Sequence, residues 1–225
     1  RILAWIIICG IAITGGIMNM FLICSMILFK QDKIKVDNPT EPISILIASF
    51  NEESSIYDTI KSVVEQDYKG KITIYAIDNN STDKTKEEIY RAITDFAGFD
   101  IRYIFEKKKG KSNALNTALK EVSTKYTITL DADTMLHSGA LRFLVGRIVS
   151  SDDNVVAVAG AILVNNTDDN MISKLQVWDY LLSITSVKKM QSMFNATLVA
   201  QGAFSIYKTE NLKEINGWDD TIGED

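Results

Sequence analysis

The chain has 225 residues, 46% of them hydrophobic, and a formal net charge of −5. That length holds one good-sized α/β domain with an appendage, and the apolar content is that of a globular protein. The acidic balance implies no broad basic surface and argues against a nucleic-acid partner.

The apolar residues are concentrated at the start. Ile2 to Phe29 contains no charged side chain and is flanked by Arg1 and Lys30. As a helix it would run about 42 Å, more than the ~30 Å hydrocarbon core of a bilayer, so it can span with tilt. A signal-peptide core would be about half as long and would end in a small-residue cleavage site, which is not found here. Gly10, Gly15 and Gly16 are tolerated in such a helix, where they either mark a packing face or only add flexibility. Lys30, Lys33 and Lys35 follow the span and only Arg1 precedes it, which places the larger domain on the cytoplasmic side. Cys9 and Cys24 both lie within the apolar stretch, so the remainder has no thiol to oxidise. Because the chain starts at Arg1 and ends at Asp225 in mid-motif, it is expected to be a fragment. Residues 1–30 are expected as a transmembrane helix, 31–42 as a juxtamembrane linker carrying Pro39 and Pro42, and 43–225 as the main domain.

Ile43 to Ala48 reads as a first buried strand, running into the polar turn Ser49-Phe50-Asn51-Glu52-Glu53. A helix with Ile56, Ile60, Val63 and Val64 at core spacing follows. Ile72 to Ile77 is a second strand, ending in Asp78-Asn79-Asn80-Ser81-Thr82-Asp83, and residues 84–96 form the next helix. Ile101 to Phe105 is a third strand, leading through a lysine-rich loop to a helix carrying Ala114, Leu115, Ala118 and Leu119. Tyr126 to Leu130 is a fourth strand that delivers Asp131 and Asp133 into the loop at its end. Strand-then-helix repetition predicts a mostly parallel sheet flanked by helices, with the polar turns gathered along one edge, where a nucleotide would sit. Further on, 141–149 and 172–193 suit helices, 155–163 and 203–207 suit strands, and 211–225 suits a loop region.

Asp131 and Asp133 can reach one hard divalent cation and what it carries, although the same residues would serve an acidic strand-to-helix turn capped by Asp133 or Thr134. Asp78 to Ser81 offers short donors and acceptors suited to a uracil imide or a ribose hydroxyl, or else a helix entry capped by Ser81 or Asp83. The run Lys107-Lys108-Lys109-Gly110-Lys111 could neutralise a diphosphate at a helix N-terminus, or form a solvated basic loop. Gly110-Lys111-Ser112 is not a P-loop, because Phe105 stands where the motif needs a glycine, which disfavours an ATPase. His137, the only histidine, reads as an exposed loop residue. Trp178 reads as core of its helix, and Trp218 either stacks on a sugar face or packs internally. Glu224-Asp225 offers a carboxylate that could act as a general base.

In this order, six segments resemble the family 2 glycosyltransferases of the GT-A fold. They are Ala48-Ser49-Phe50-Asn51-Glu52, the Asp78 cluster, Lys109 to Asn116, Leu130-Asp131-Ala132-Asp133, Gln201-Gly202-Ala203-Phe204, and Gly223-Glu224-Asp225. With the preceding apolar span the chain is similar to processive membrane synthases of poly-N-acetylglucosamine, hyaluronan, chitin or cellulose. The Asn113 to Asn116 run and Asp131 to Thr134 lean towards the first two. The resemblance implies an inverting transfer from a UDP-sugar to a glycan or lipid-linked acceptor, with possible export or accessory subunits. It implies donor contacts from Ala48, Asn51, Glu52, Asp78, Asn80, Lys111, Asp131 and Ala132, and Mg²⁺ or Mn²⁺ on Asp133. Asp225 matches the catalytic base, and Gln201, Gly202, Ala203, Trp218 and Glu224 would face the acceptor. Asn79 stands where the family often has a second Asp. The Gln-x-x-Arg-Trp segment of processive members would lie beyond Asp225. The competing expectations are a non-processive transferase adding one sugar to a lipid carrier or surface glycan, and an inactive nucleotide-sugar-binding membrane module.

Overall fold

A computed structural model of the chain describes residues 2–28, 33–161, 175 and 202–219. The chain divides into two compact units, residues 1–33 with 161–198, and residues 34–160 with 199–225. The described part of the first is almost entirely one helix, α1 (Ile2–Leu28), 27 residues long. Its Ala4–Phe21 stretch is long and apolar enough to cross a membrane, and none of it is buried.

The second unit is built on a six-stranded sheet. In chain order its elements are β1 (Ile43–Ser49), α2 (Ile56–Val64), β2 (Ile72–Asp78), α3 (Thr85–Asp95), β3 (Asp100–Phe105), α4 (Lys111–Glu121), β4 (Tyr126–Asp131), α5 (Ala140–Ser150), β5 (Ala157–Ala159), β6 (Phe204–Lys208) and α6 (Thr209–Glu214). The strands lie in the order β3-β2-β1-β4-β6-β5. The first four pair in parallel, whereas β6 runs antiparallel to both β4 and β5. Each parallel step is a βαβ crossover, which requires a helix to carry the chain back across a sheet face.

Strand alternation explains how both faces are covered. Ile43, Ile45 and Ile47 of β1 join Ile128 and Leu130 of β4 in one core, capped by Ile56 and Ile60 of α2, Ile89 of α3 and Leu141 and Val145 of α5. Leu46 points the other way, into a second core with Tyr75, Ile77, the α4 residues Ala114, Leu115 and Ala118, and Leu212 of α6. A central parallel strand buried on both sides needs apolar residues at nearly every position, as β1 shows.

The four strand–helix units expected from the sequence are all present. Where 155–163 suited one strand, β5 covers Ala157–Ala159, and 162–163 lie outside the described residues. The expected 172–193 helix with Trp178 also lies outside them, apart from Leu175. Part of the expected 211–225 loop region is instead helical, since α6 continues to Glu214. Leu212 supplies the reason: it is buried on the α4 side of the sheet, where a short helix seats it.

Replacing Ile128, fully buried at the sheet centre, should show how much this packing contributes. Ile128→Ala should destabilise the domain by about 2–5 kcal/mol, measured as a loss in urea midpoint of the detergent-solubilised protein.

Candidate active site

Register decides where the chemistry falls. Ser49 pairs with Asp78, Ala48 with Asp131, and Asp78 with Phe105, so the C-terminal ends of β1 to β4 reach one level of the sheet. A cleft of about 300 Å³ opens there, lined by Ala48, Ser49, Phe50, Glu52, Asn79, Lys111, Asp131, Ala132 and Asp133. Six of the expected site residues thus meet: Ala48, Glu52, Lys111, Asp131, Ala132 and Asp133.

Lys111 is the first residue of α4, and its Nζ lies 2.7 Å from Asp131 Oδ1, each side chain about a third exposed. Asp133 is exposed at the rim. The turn bearing the two aspartates is held from three sides. Asp131 N–H donates to Ala203 O at 3.1 Å, and Thr134 N–H to Asp131 O at 3.1 Å. Thr59 Oγ1 donates to Ala132 O at 2.8 Å. The first of these bonds sets the Gly202-Ala203 segment beside Asp131. Neither Asp133 nor Thr134 caps a helix, because α5 begins only at Ala140, after Gly139.

The neighbouring loops are tied to one another rather than to solvent. Asn51 adopts a left-handed φ of 58°. Its Oδ1 accepts from Thr82 N–H, while its own N–H donates to Ser81 Oγ. Glu52 N–H donates to Thr85 Oγ1, and Glu53 N–H to Asp83 Oδ2. Asp83 also accepts from Thr85 N–H, shaping the entry to α3, whereas Ser81 serves the Asn51 loop instead. Burial pushes the Asp83 carboxyl up, but the hydrogen bonds from Thr85 and Glu53 outweigh it and hold it below the ordinary range.

Asp78 is only 3% exposed. Its Oδ1 accepts from Ser81 N–H at 2.9 Å and its Oδ2 from Tyr103 Oη at 3.0 Å. Burial, and then the bond to Asp78, keep the Tyr103 phenol protonated far above its usual range, so it remains a donor. Asn80, half-buried with φ 62°, turns the chain immediately after it.

Asn79 has a role that the sequence did not signal. Its Nδ2 donates to Glu106 O at 3.2 Å and Lys108 O at 2.7 Å, and its Oδ1 accepts from Gly110 N–H at 2.8 Å. The amide therefore clamps the lysine loop at both ends, a task needing donors and an acceptor in one side chain. Gly110 completes the turn with φ 125°, a conformation that favours glycine. Lys109 Nζ sits 4.7 Å from the centre of the Phe50 ring at the cleft mouth, while Lys107 and Lys108 are exposed. Glu106 is held below the ordinary carboxyl range by the Thr117 hydroxyl and the Lys108 N–H.

Trp218 corrects the expectation of an acceptor-facing ring. It is 9% exposed, packs edge-on against Tyr207, and is clamped through its backbone by both ends of the Asn116 amide. Gly217 before it has φ 83°, and a Cβ there would collide with Asn116 Oδ1. His137 is exposed and does not line the cleft; its carbonyl, not its ring, is engaged by Gln66. Gln201, Glu224 and Asp225 lie outside the described residues. Among the described residues no group of three or more His, Cys, Asp or Glu side chains is placed to hold a metal by protein ligands alone. Asp131 and Asp133 beside a lysine nevertheless form a hard-oxygen donor set of the kind that shares Mg²⁺ or Mn²⁺ with a phosphate ligand.

An open, mostly parallel sheet flanked by helices, with a cleft at its C-terminal strand ends, is the GT-A fold, and solved structures share that fold. A mannosyltransferase from Pyrobaculum calidifontis, solved with GDP-Man and Mn²⁺, superposes with a TM-score of 0.75 at 23% identity, over 99% of this chain and 60% of that one. Staphylococcus aureus TarS 1-349, solved with UDP-GlcNAc, gives 0.58 at 18% identity, over 81% and 51%. Residues 44–215 match glycosyl transferase family 2, and the chain belongs to that family. A poly-beta-1,6-N-acetyl-D-glucosamine synthase of Staphylococcus epidermidis is 34% identical over 188 residues, covering 82% of this chain and 44% of the relative. One from S. aureus is 32% identical over 199 residues, covering 87% and 46%. The chain spans less than half the length of either synthase.

Asn79→Ala removes the two donors and the acceptor that hold Glu106, Lys108 and Gly110. It should accelerate amide hydrogen exchange at Gly110 about tenfold, the effect of losing about 1.4 kcal/mol of loop organisation. Acid should act on the same loops. Asp83 and Glu106 have folded values below the ordinary 3.8 and 4.5, so their contribution is complete above those values and is lost as pH falls through the lower folded ones. Below about pH 4, amide hydrogen exchange at Glu53, Thr85 and Lys108 should accelerate before the sheet amides do.

Proposed function

We propose that the full-length protein is a membrane-bound, inverting glycosyltransferase that moves a sugar from a UDP-sugar donor onto a growing β-linked polysaccharide, with poly-N-acetylglucosamine as the leading product. The observation that carries this reading is the convergence of Glu52, Lys111, Asp131 and Asp133 on one cleft in a family 2 glycosyltransferase. The poly-beta-1,6-N-acetyl-D-glucosamine synthases among its relatives support the product.

In this proposal Ala48, Asn51, Glu52, Asp78 and Asn80 form the nucleoside side of the donor site. The remaining lone pairs of Asp78 and the groups of its turn suit a uracil edge. Lys111, released from Asp131, would neutralise the leaving diphosphate. Asp133, with Asp131 and Ala132 beside it, would hold Mg²⁺ or Mn²⁺. The cation, when bound, supplies positive charge to the diphosphate as it departs. Gln201, Gly202, Ala203 and Glu224 would face the acceptor, and the bond from Asp131 N–H to Ala203 O supports bringing that segment to the cleft.

Asp225 would take the proton from the acceptor hydroxyl while the hydroxyl oxygen bonds to the anomeric carbon and the bond from that carbon to the diphosphate breaks. A single displacement of this kind turns an α-linked donor into a β-linkage. The helix α1 would anchor the protein with residues 43–225, the transferase domain, on the cytoplasmic side, and the linker 31–42 between them. Export or accessory subunits would be partners of the polymer product rather than of this cleft.

The test is to incubate membranes containing the complete protein with a panel of UDP-sugars and Mg²⁺ or Mn²⁺, then digest the product with linkage-specific hydrolases. A β-linked N-acetylglucosamine polymer is expected, and Asp133→Asn should reduce its formation at least about 100-fold. Single-sugar adducts would replace the polymer reading with the non-processive one. UDP binding with no transfer from any donor would leave only a binding module.

A further inference from the structure

The segment from Ala132 to Gly139, which carries Asp133, contains no helix or strand. It hangs from one side of α2. Thr59 Oγ1 donates to Ala132 O at 2.8 Å, and Leu136 N–H donates to Ser62 Oγ at 3.1 Å. Just beyond the end of α2, Gln66 Nε2 donates to His137 O at 2.9 Å and its Oε1 accepts from Leu141 N–H at 3.1 Å. Asp67 N–H then donates to Ser138 O at 3.0 Å. Thr59, Ser62 and Gln66 are spaced so that one side of a helix presents them in a row.

This row is built rather than incidental. Thr59 and Ser62 are 1% and 7% exposed, on a helix whose Ile56, Ile60 and Val63 occupy the core. Two of the side chains are anchored from behind as well: Ser62 Oγ also donates to Thr59 O at 2.8 Å, and Gln66 Nε2 to Ser62 O at 3.0 Å. Polar groups buried in this way are costly unless satisfied, and the loop satisfies them. Across to the loop these side chains meet only backbone, at Ala132, Leu136, His137 and Leu141, so what they specify is the path of the chain on both sides of Asp133, independent of the side chains there.

We propose that Thr59, with Ser62 and Gln66 behind it, is a positioning residue for the cation site. Its hydroxyl fixes the Ala132 carbonyl, and so the aim of the Asp131 and Asp133 carboxylates, before any ligand arrives. This inference rests on the reading of Asp133 as a cation ligand. Thr59 touches neither cation nor donor; it acts through the backbone, in the manner of residues that orient the ligands of a metal.

The test uses full-length detergent-solubilised protein and follows Mn²⁺ by electron paramagnetic resonance in the presence of UDP, alongside UDP affinity in EDTA. Thr59→Val keeps the branched shape and removes only the donor. It should weaken Mn²⁺ binding about tenfold, the lower end of what loss of an orienting partner costs, with UDP affinity in EDTA unchanged. Thr59→Ser should restore wild-type affinity, and Ser62→Ala provides an independent loss from the same row if the valine variant does not fold. Ile148→Val, a core trim on α5, controls for general destabilisation.

Wild-type Mn²⁺ affinity in both Thr59→Val and Ser62→Ala would overturn the proposal, as would an equal loss in Ile148→Val. Asp133→Asn in the same titration separates the two layers. If it too binds Mn²⁺ normally, the cation reading itself has failed; if it alone loses binding, only the role of the α2 row has.

Discussion

The site depends above all on the pairing of β1 between β2 and β4, parallel and in register. It brings strand ends 29 and 83 residues apart in sequence to one level, with Ser49 against Asp78 and Ala48 against Asp131. The register is enforced by burial on both faces. A slip of one residue would turn Ile43, Ile45 and Ile47 out of one core and into the space filled by Leu46 and α4. The position of the carboxylates is therefore secured by apolar residues that never touch them.

Above that platform the loops are organised by side chain–backbone hydrogen bonds. The turns after β1 and β2 are joined through Asn51, Ser81, Asp83 and Thr85; the lysine loop is clamped by Asn79; and the aspartate turn is held by Thr59 and Ala203. Such loops lose little further freedom when a ligand arrives, which is the condition for electrostatic groups to act without reorganising. Lys111 and Asp131 neutralise each other across 2.7 Å, in partly exposed positions where each can exchange its partner for a ligand of the same sign.

The fold alone does not select the donor. Of the solved proteins that share it, one was captured with GDP-Man and another with UDP-GlcNAc. Donor choice on a shared fold is made by a few pocket contacts, each worth about 1–3 kcal/mol. Tyr103 and Asn79 set the attitude of the loops after β2 and β3 rather than the fold.

Hydrophobic periodicity and the polar turns were sufficient to read the strand–helix units and their order, and the ordered motifs were sufficient to read the family, because both are written in local spacing. The same local patterns singled out Lys111, Asp131 and Asp133, which the fold brings to one cleft, since charged residues at strand ends stand out against apolar runs. What no spacing could reveal was which polar residues work in pairs. Asn79 stood out only as a departure from the family pattern and is a clamp between Glu106, Lys108 and Gly110; Trp218 suited either a sugar face or internal packing and is buried beside Tyr207; and Thr59, which no motif marks, holds the Ala132 carbonyl. The partners in these roles are 27 to 31 residues away for Asn79, 73 for Thr59 and 102 for Trp218. Only the folded chain, by bringing distant donors within hydrogen-bond reach of buried acceptors, could decide them.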